Sequence, residues 1–489
     1  MASLLLKGAR VLDLTRPFEV ADVLVDHGQI VRVEPELDQP ADRVLDLSGK
    51  LLMPGLINAH THSGQIVDRG MGDADPLDLW IVHAAYSGSP MDPRDLYTLA
   101  AWSALVQLRT GCTACLDHPF VPPAAMDEGG DAIMQAYLDT GFRAAVALAV
   151  GDMDLFQTLP LHLIPDVDVP KMAADPPKTE DQLAGLRRFL QRWQGKSDRV
   201  RPFAGPSAPQ RATDDLLDGC FELAREFEAG LHTHVYEARS QVHACQERFG
   251  VSAVEHFKRK GWISPRLSCA HGVWLSQQDM RLLADGGGAV AHNPVSNLRL
   301  ASGIADLQRM LSAGVTVALG ADGAASNDNQ NMWEVVKLTA ILHRMYGRRR
   351  DWVTAEEALR VCLEGGAAVM GQRLGAVAPG SEADLIVLGG RELFFRPKQV
   401  MIPALVLGEL GASVETAIVA GEVVLENGQS TKVNEAHLRM QVAEIVQKSM
   451  DSLPRREQFF RERQGILDKM LSAVEAQEDP DGILIPGVR

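Results

Sequence analysis

The sequence predicts an α/β protein built on a (β/α)₈ barrel, with a small β-sandwich formed by both chain flanks and a helical C-terminal tail. Strand-like and helix-like patterns alternate eight times through the middle of the chain, which is typical of a parallel α/β fold. Strand-like runs of similar character lie before and after this middle region. Beyond residue 430, apolar residues recur at helical spacing.

The two flanks, residues 1–53 and 375–430, are expected to form the small domain together. Their runs rich in Val, Leu and Ile lie at 3–14, 22–33, 43–47, 383–388 and 417–424. His27-Gly28 and Gly421 separate neighbouring runs and are expected to form hairpin turns. The simplest account is one small domain into which the rest of the chain is inserted.

Residues 54–374 are expected to form the barrel. Its strand candidates lie at 51–62, 111–118, 142–150, 200–208, 230–237, 267–271, 288–293 and 315–322, and its clearest helix candidates at 95–109, 213–228, 277–284 and 332–345. An open doubly wound sheet is the alternative, but it would usually carry a glycine-rich phosphate loop after its first strand, which this sequence lacks. The long connection at 151–180 is interpreted either as a lid or binding loop or as a solvated insertion.

The extension at 431–489 is expected to be helical. Apolar residues at helical spacing fill 434–453 and 455–476, on either side of Pro454. We expect this extension to pack on the barrel or on a second subunit of a homodimer or higher homo-oligomer.

The composition limits the classes of partner. The chain of 489 residues is 46% apolar and 23% charged, which is ordinary for a soluble protein, and its net charge of 48 − 64 = −16 disfavours a polynucleotide partner. It has no apolar run long enough to span a membrane and no leader pattern, so a cytoplasmic protein is expected. Cys112 and Cys115 lie in an alternating apolar run and are expected to be core residues rather than a redox pair.

Polar residues mark the ends of several predicted barrel strands. Since barrel active sites lie at the carboxyl ends of the strands, these side chains are expected to meet. His60 and His62 end the first strand and Asp322 ends the last, while the fifth carries both His232 and His234. Imidazole and carboxylate groups suit a catalytic zinc site that keeps one position open for water. Strand parity does not separate His232 from His234 as the remaining ligand.

Five motifs carry a resemblance to a known family. They are PGLINAHTH at 54–62, HVYE at 234–237, AHG at 270–272, HNPVSNL at 292–298 and GADGAASN at 320–327. The chain resembles the amidohydrolase superfamily, in the mononuclear branch of cytosine deaminase-like, guanine deaminase-like and triazine hydrolase enzymes. Within it, the chain is similar to hydroxyatrazine ethylaminohydrolase-like enzymes and to methylthioadenosine/S-adenosylhomocysteine-type deaminases.

The resemblance implies a role for each motif residue. His60, His62, His234 and Asp322 would bind one divalent metal ion, for which zinc is favoured and iron is the alternative. Asp322 would also act in catalysis, with Glu237 as proton shuttle and His271 orienting the water or the substrate. Substrate contacts are expected at Gln65, Trp80, Ser207, His292, Asn293 and Asn297. Dinuclear relatives need a lysine at the end of strand four, and its absence here predicts a single metal ion.

These features predict a metal-dependent hydrolase that removes an amino or alkylamino group from a small N-heterocycle. The metal ion would lower the pKa of water from about 15.7 to about 7, and Glu237 would protonate the ring nitrogen. Hydrolysis of an amide, urea or carbon–halogen bond on the same scaffold is the alternative, and a non-catalytic barrel protein is a remote one. The sequence leaves open the natural substrate, the leaving group and the number of subunits.

Overall fold

A computed structural model of the chain describes residues 3–14, 19–85, 91–164, 167–168, 170, 172, 175–345, 348–389 and 396–477. Parts of the predicted 151–180 connection and residues 478–489 of the predicted tail lie outside the described residues. In chain order the strands are β1 Leu4–Val11, β2 Glu19–Asp26, β3 Gln29–Glu34, β4 Arg43–Asp46, β5 Leu51–Pro54, β6 Leu56–Thr61, β7 Cys112–Asp117, β8 Arg143–Val150, β9 Val200–Pro206, β10 Leu231–Val235, β11 Leu267–His271, β12 Ala289–His292, β13 Thr316–Leu319, β14 Leu385–Leu388, β15 Val414–Val419, β16 Glu422–Glu426 and β17 Gln429–Ser430.

Helices follow most of the barrel strands, as the sequence pattern predicts. They are α1 Leu77–Trp80, α2 Pro93–Arg109, α3 Met126–Thr140, α4 Thr179–Trp193, α5 Asp214–Glu226, α6 Arg239–Phe249, α7 Ala253–Lys260, α8 Gln277–Gly286, α9 Pro294–Arg299, α10 Leu307–Ser312, α11 Met332–Leu342, α12 Ala355–Arg360, α13 Gly366–Met370, α14 Lys398–Gly408 and α15 Glu435–Glu475. Among the described residues, none of these helices combines the length and the apolar character needed to cross a membrane.

The predicted barrel is confirmed. Strands β6 to β13 form one eight-stranded sheet in sequence order, and every neighbouring pair is parallel. The sheet closes between its first and last strands: just after β13, the backbone N–H of Asp322 donates to the carbonyl of His60 on β6, at 2.9 Å. Cys112 and Cys115 are free and buried in β7, in agreement with the prediction of a core strand.

A second sheet joins the two flanks of the chain. Its strands run in the order β17-β16-β15-β14-β5-β1-β2-β3, with β4 paired to β1. The flanks meet where β14 pairs antiparallel with β5. His27 and Gly28 link β2 to β3 with φ of 48° and 80°, the two positive values of a type I′ hairpin turn.

The single strand predicted at 51–62 is two strands that belong to different sheets. The N–H of Gly55 donates to Asp384 in the small-sheet flank, and the N–H of Leu56 donates to Gly111 beside the barrel. A Cβ on Gly55 would lie 2.0 Å from the Thr113 hydroxyl oxygen, so only glycine fits at this crossing. The uninterrupted apolar run hid the crossing because both strands are buried.

A buried ion pair also connects the sheet to the barrel. The Arg143 guanidinium at the start of β8 is fully buried and donates to both carboxylate oxygens of Asp384, at 2.7 and 2.8 Å. Arg143 also contacts Glu382 at 3.2 Å. Bidentate geometry of this kind fixes orientation as well as distance.

The C-terminal extension forms one helix of 41 residues, which runs through both segments of helical spacing. Asn434 caps its N-terminus by accepting a hydrogen bond from the N–H of His437. Pro454 lies within the helix, where it removes one backbone donor but does not end the helix. Buried residues on both sides of Pro454, among them Val442 and Phe460, pack against the rest of the protein and hold the two halves in line.

Residues 151–164, the first half of the 151–180 connection, are packed rather than solvated, whereas most of the described residues from 175 to 180 are exposed. The two 3₁₀ turns of the first half, Leu155–Thr158 and Leu161–Leu163, bury Leu155, Phe156 and Leu161. These residues belong to one hydrophobic cluster with residues of α1 and the second half of α15. This part of the connection therefore joins the C-terminal helix to the rim of the barrel.

Candidate metal centre

Four of the predicted site residues converge at the carboxyl end of the barrel. His60 lies on β6 and His62 directly after it, His234 lies on β10, and Asp322 follows β13. Asp322 Oδ1 lies 3.4 Å from His60 Nε2 and 3.3 Å from His62 Nε2. His62 Nε2 lies 3.3 Å from His234 Nε2. These strands are distant along the chain, and only closure of the barrel brings their ends together.

The ring orientation of two histidines is set by backbone carbonyls. His62 donates from Nδ1 to the carbonyl of His118, and His234 donates from Nδ1 to the carbonyl of Ser207, both at 2.6 Å. Because a carbonyl can only accept, the proton of each neutral ring is on Nδ1. Each Nε2 therefore presents a lone pair to the centre, the form in which imidazole binds a metal ion.

His60 is oriented by a longer hydrogen-bonded chain. Its Nδ1 lies 2.8 Å from His232 Nε2, and His232 Nδ1 lies 2.6 Å from the Ser268 hydroxyl. Ser268 in turn donates to the carbonyl of Leu231 at 3.4 Å, so it accepts from His232. His232 therefore accepts from His60, and His60 Nε2 is left buried without a hydrogen-bond partner beside Asp322.

This arrangement separates the two histidines that strand parity left open. Both ring nitrogens of His232 are engaged, by His60 and Ser268, whereas His234 directs Nε2 to the centre. Burial lowers the pKa of His60 to about 3 and that of His232 well below its usual range. Neutral imidazoles, a carboxylate and an orphaned buried nitrogen fit a divalent ion of the zinc type.

Asp322 is held by several donors. The Ser296 hydroxyl donates to its Oδ2 at 2.5 Å, and the N–H of Gly323 donates to its Oδ1 at 2.8 Å. Hydrogen bonds to a carboxylate stabilise its charge, so both donors favour the ionised form of Asp322. The backbone of Asp322 has φ of 61° and that of His271 has 74°, strained values that mark both strand ends as specialised.

Glu237 and His271 lie together beside the centre. Glu237 Oε2 is 3.6 Å from His271 Nε2, and the other ring nitrogen of His271 contacts Asn297 Oδ1 at 2.9 Å and Asn293 Nδ2 at 3.2 Å. Burial, followed by the charge of Asp322, raises the pKa of Glu237 well above its usual range. A buried carboxyl of this kind retains a proton that it can transfer to a bound molecule.

The other predicted substrate residues take different places. Gln65 lies in the 3₁₀ turn Ser63–Asp68, with its Oε1 3.5 Å from the Ser326 hydroxyl. Trp80 is buried in the cluster that α15 covers, and the Ser207 carbonyl holds His234. His292 shares its side of β12 with Val290, in the cluster that includes the surrounding helices, and its ring lies 6.2 Å from that of His343.

The comparisons with known proteins agree with this geometry. The model of the amidohydrolase family matches residues 51–424. The chain belongs to the amidohydrolase family. The 5'-deoxyadenosine deaminase of Methanosarcina mazei is 31% identical to this amidohydrolase over 458 residues, covering 93% of this chain and 99% of that protein. The 5-methylthioadenosine/S-adenosylhomocysteine deaminase of Thermococcus onnurineus is 34% identical over 407 residues, covering 83% and 89%.

Solved structures show the same fold. An adenosine deaminase from Xanthomonas campestris with bound zinc is 25% identical to this amidohydrolase with a TM-score of 0.79, covering 90% of this chain and 98% of that one. An atrazine chlorohydrolase from Arthrobacter aurescens TC1 complexed with zinc is 24% identical with a TM-score of 0.81, covering 91% and 100%. The predicted family, fold and enzyme class, a hydrolase of carbon–nitrogen bonds, are confirmed.

Sequence reasoning missed the residues that hold the candidate metal ligands of this amidohydrolase in place. Asp117 accepts from the N–H and the hydroxyl of Ser63, at 2.9 and 2.6 Å, and so fixes the turn after His62. The carbonyl of His118 orients His62. Asp117-His118 ends the second predicted barrel strand, so the polar strand-end pattern used elsewhere could have identified both. The contribution of Ser268 had no such signal, because it depends on the pairing of β10 with β11.

Proposed function

We propose that this amidohydrolase is a zinc-dependent deaminase that removes the 6-amino group of a 5'-modified adenosine. The observation that carries the proposal is Glu237, a buried acid with a raised pKa. It lies 3.6 Å from His271, at the edge of the four candidate metal ligands His60, His62, His234 and Asp322. Two relatives above 30% identity, which this chain spans over most of their length, are named as deaminases of such nucleosides.

In this proposal, His60, His62, His234 and Asp322 hold one ion. Three imidazoles and a carboxylate form a set suited to catalytic zinc, and β9 continues into Ser207 without the lysine that a second ion would need. A divalent ion at this position supplies a water molecule whose pKa is lowered from about 15.7 to about 7, which makes it a nucleophile at neutral pH.

The chain's own residues carry the proton transfers. Asp322 accepts the proton of the attacking water, since Ser296 and Gly323 fix its carboxylate and favour its ionised form. Glu237 donates a proton to the ring nitrogen beside the carbon that bears the amino group. The proton held by Asp322 then passes to the amino group, the carbon–nitrogen bond breaks and ammonia leaves, while Glu237 recovers a proton from the added hydroxyl, which becomes the carbonyl. Asn297 Oδ1 and Asn293 Nδ2 both contact His271 Nδ1, and only one of these contacts is a hydrogen bond in a given tautomer. Together they orient the ring toward Glu237, where it stabilises charge that develops on the attacking oxygen.

A substrate panel tests the proposal. Purified zinc-loaded protein would be given 5'-deoxyadenosine, 5'-methylthioadenosine, S-adenosylhomocysteine, adenosine and cytosine, with ammonia release as the readout. Hydroxyatrazine and atrazine would be followed by release of alkylamine and chloride. The largest kcat/KM is expected for one of the 5'-modified adenosines. Turnover of the triazines alone would refute the nucleoside assignment and favour the carbon–halogen or alkylamine alternative.

We also propose that the protein acts in the cytoplasm as a homodimer or higher homo-oligomer. Its six cysteines are free thiols, as is usual in a reducing compartment. Light scattering of the purified chain would measure the subunit number, and a mass of 53.1 kDa would refute the oligomer.

A further inference from the structure

The 3₁₀ turn Ser63–Asp68, which directly follows the metal motif, is joined to the C-terminal helix α15 by a buried ion pair. Asp68 is 8% exposed and Arg456 only 1%. The two are linked by a contact of 2.8 Å between Arg456 Nη1 and Asp68 Oδ1. The hydroxyl of Ser449, seven residues earlier on α15, lies 3.0 Å from the Arg456 guanidinium and 3.3 Å from the Asp68 carboxylate. A remote part of the chain therefore holds the end of this turn.

The same turn reaches the metal centre on its other side. Gln65 packs over Gly323, so closely that a Cβ added to this glycine would lie 1.7 Å from Gln65 Oε1. Gly323 directly follows Asp322, and the Ser326 hydroxyl contacts Gln65 Oε1 at 3.5 Å. Any displacement of the turn would therefore move the Gln65 amide relative to the four candidate metal ligands.

Stability does not account for burying this pair. Burial raises the pKa of Asp68 above its usual value, although the charge of Arg456 acts to lower it. Removing both charges from water is unfavourable, and apolar residues of similar volume are often as stabilising as a buried ion pair. What the pair provides is direction, because a charged hydrogen bond fixes the position of the turn more narrowly than apolar packing does.

We propose that Arg456 is a positioning residue for the substrate: through Asp68 it fixes the Ser63–Asp68 turn, and with it the Gln65 amide, at the edge of the metal centre. The long C-terminal helix is then a fixed part of the substrate pocket rather than an external appendage. The substrate readout of this inference rests on the proposed deaminase function, whereas the position of the turn can be measured without any substrate.

The experiment compares three full-length zinc-loaded variants with the wild type. Arg456→Met removes the guanidinium, and the double variant Arg456→Met/Asp68→Asn also removes the carboxylate, so that no buried charge is left unpaired. Lys448→Met is the matched control, because it breaks another contact between α15 and the barrel, to Asp95 at 3.2 Å, without touching the turn. Readouts are zinc content, thermal unfolding, hydrogen exchange in residues 63–68, and kcat and KM for the nucleoside.

The double variant separates positioning from simple charge compensation. It is expected to unfold close to the wild type and to keep its zinc, but to exchange faster at 63–68 and to lose on the order of 100-fold in kcat/KM, mainly through KM. Lys448→Met is expected to match the wild type in exchange and in KM.

Two results would overturn the inference. If the double variant has the same exchange rate at 63–68 and the same KM as the wild type, Arg456 only compensates a buried charge. If its exchange is faster but its KM is unchanged, the position of the turn does not affect substrate binding. If the wild type deaminates no nucleoside, the proposed function fails, and unchanged exchange in the double variant would still refute the positioning of the turn.

Discussion

His232 is expected to set the metal affinity of the centre without binding the metal. Replacing it with phenylalanine retains an aromatic ring at this fully buried position but removes the acceptor for His60 Nδ1, now 2.8 Å away. His60 would then hold an unsatisfied buried N–H in its metal-binding tautomer. The other tautomer places the proton on Nε2, where it blocks metal binding.

The size of the effect follows from this one hydrogen bond. An unsatisfied buried donor costs about 1–3 kcal/mol, which corresponds to roughly 5- to 150-fold in affinity. Replacement of residues that orient metal ligands typically weakens affinity by about 10- to 100-fold, in agreement with that range. Ser268→Ala acts one hydrogen bond further away, since Ser268 contacts His232 and not His60, so its effect should be smaller.

Competition with a chromophoric chelator would measure the zinc dissociation constants of the wild type, His232→Phe, Ser268→Ala and His234→Ala. The loss of zinc affinity is expected to be smallest for Ser268→Ala, larger for His232→Phe and largest for His234→Ala, which removes a proposed ligand outright. Circular dichroism and thermal unfolding of the apoproteins would control for misfolding. If His232→Phe lost as much affinity as His234→Ala, or none, the role assigned to the hydrogen-bonded chain would be wrong.

Three further predictions concern catalysis and stability. Glu237→Gln should keep its zinc by elemental analysis while kcat falls by about 10²- to 10⁴-fold, and wild-type turnover would contradict the proton-transfer role. Burial raises the pKa of Asp78 to about 6, from about 3.9 in the unfolded chain. A raised carboxyl pKa means that Asp78 ionises less readily in the folded protein than in the unfolded chain. Asp78 therefore destabilises the fold when the pH is above its folded-state pKa, and not when the pH is below its unfolded-state pKa. Asp78→Asn should stabilise the protein by roughly 3 kcal/mol at pH 8 and little at pH 4, and urea unfolding at both pH values checks the sign. Arg143→Met should lower the free energy of unfolding by about 3–5 kcal/mol, because it leaves buried Asp384 unpaired, whereas the exposed control Arg187→Met should barely change it.

The barrel and its motifs could be predicted because their signals are local. His60-Thr61-His62 follows an apolar strand, and Asp322 lies at the end of another, so each candidate could be recognised from its own few neighbours. The crossing at Gly55 could not be located, since two consecutive buried strands have the same apolar pattern whichever sheet they join. The helical character of the extension could be predicted, but not that one helix runs through Pro454, because the energetic effect of proline is local whereas the packing that outweighs it involves distant segments.

The sequence by itself determined which chemical groups are present and at which strand ends they lie, because side-chain alternation and turn chemistry are properties of neighbouring residues. Only the tertiary structure decided that His234 and not His232 faces the centre, since that choice depends on Ser268 from the adjacent strand. It also brought Arg456 to Asp68 across 388 positions of the chain. Contacts between distant segments form when the barrel closes and the C-terminal helix packs on it, and no local pattern encodes them.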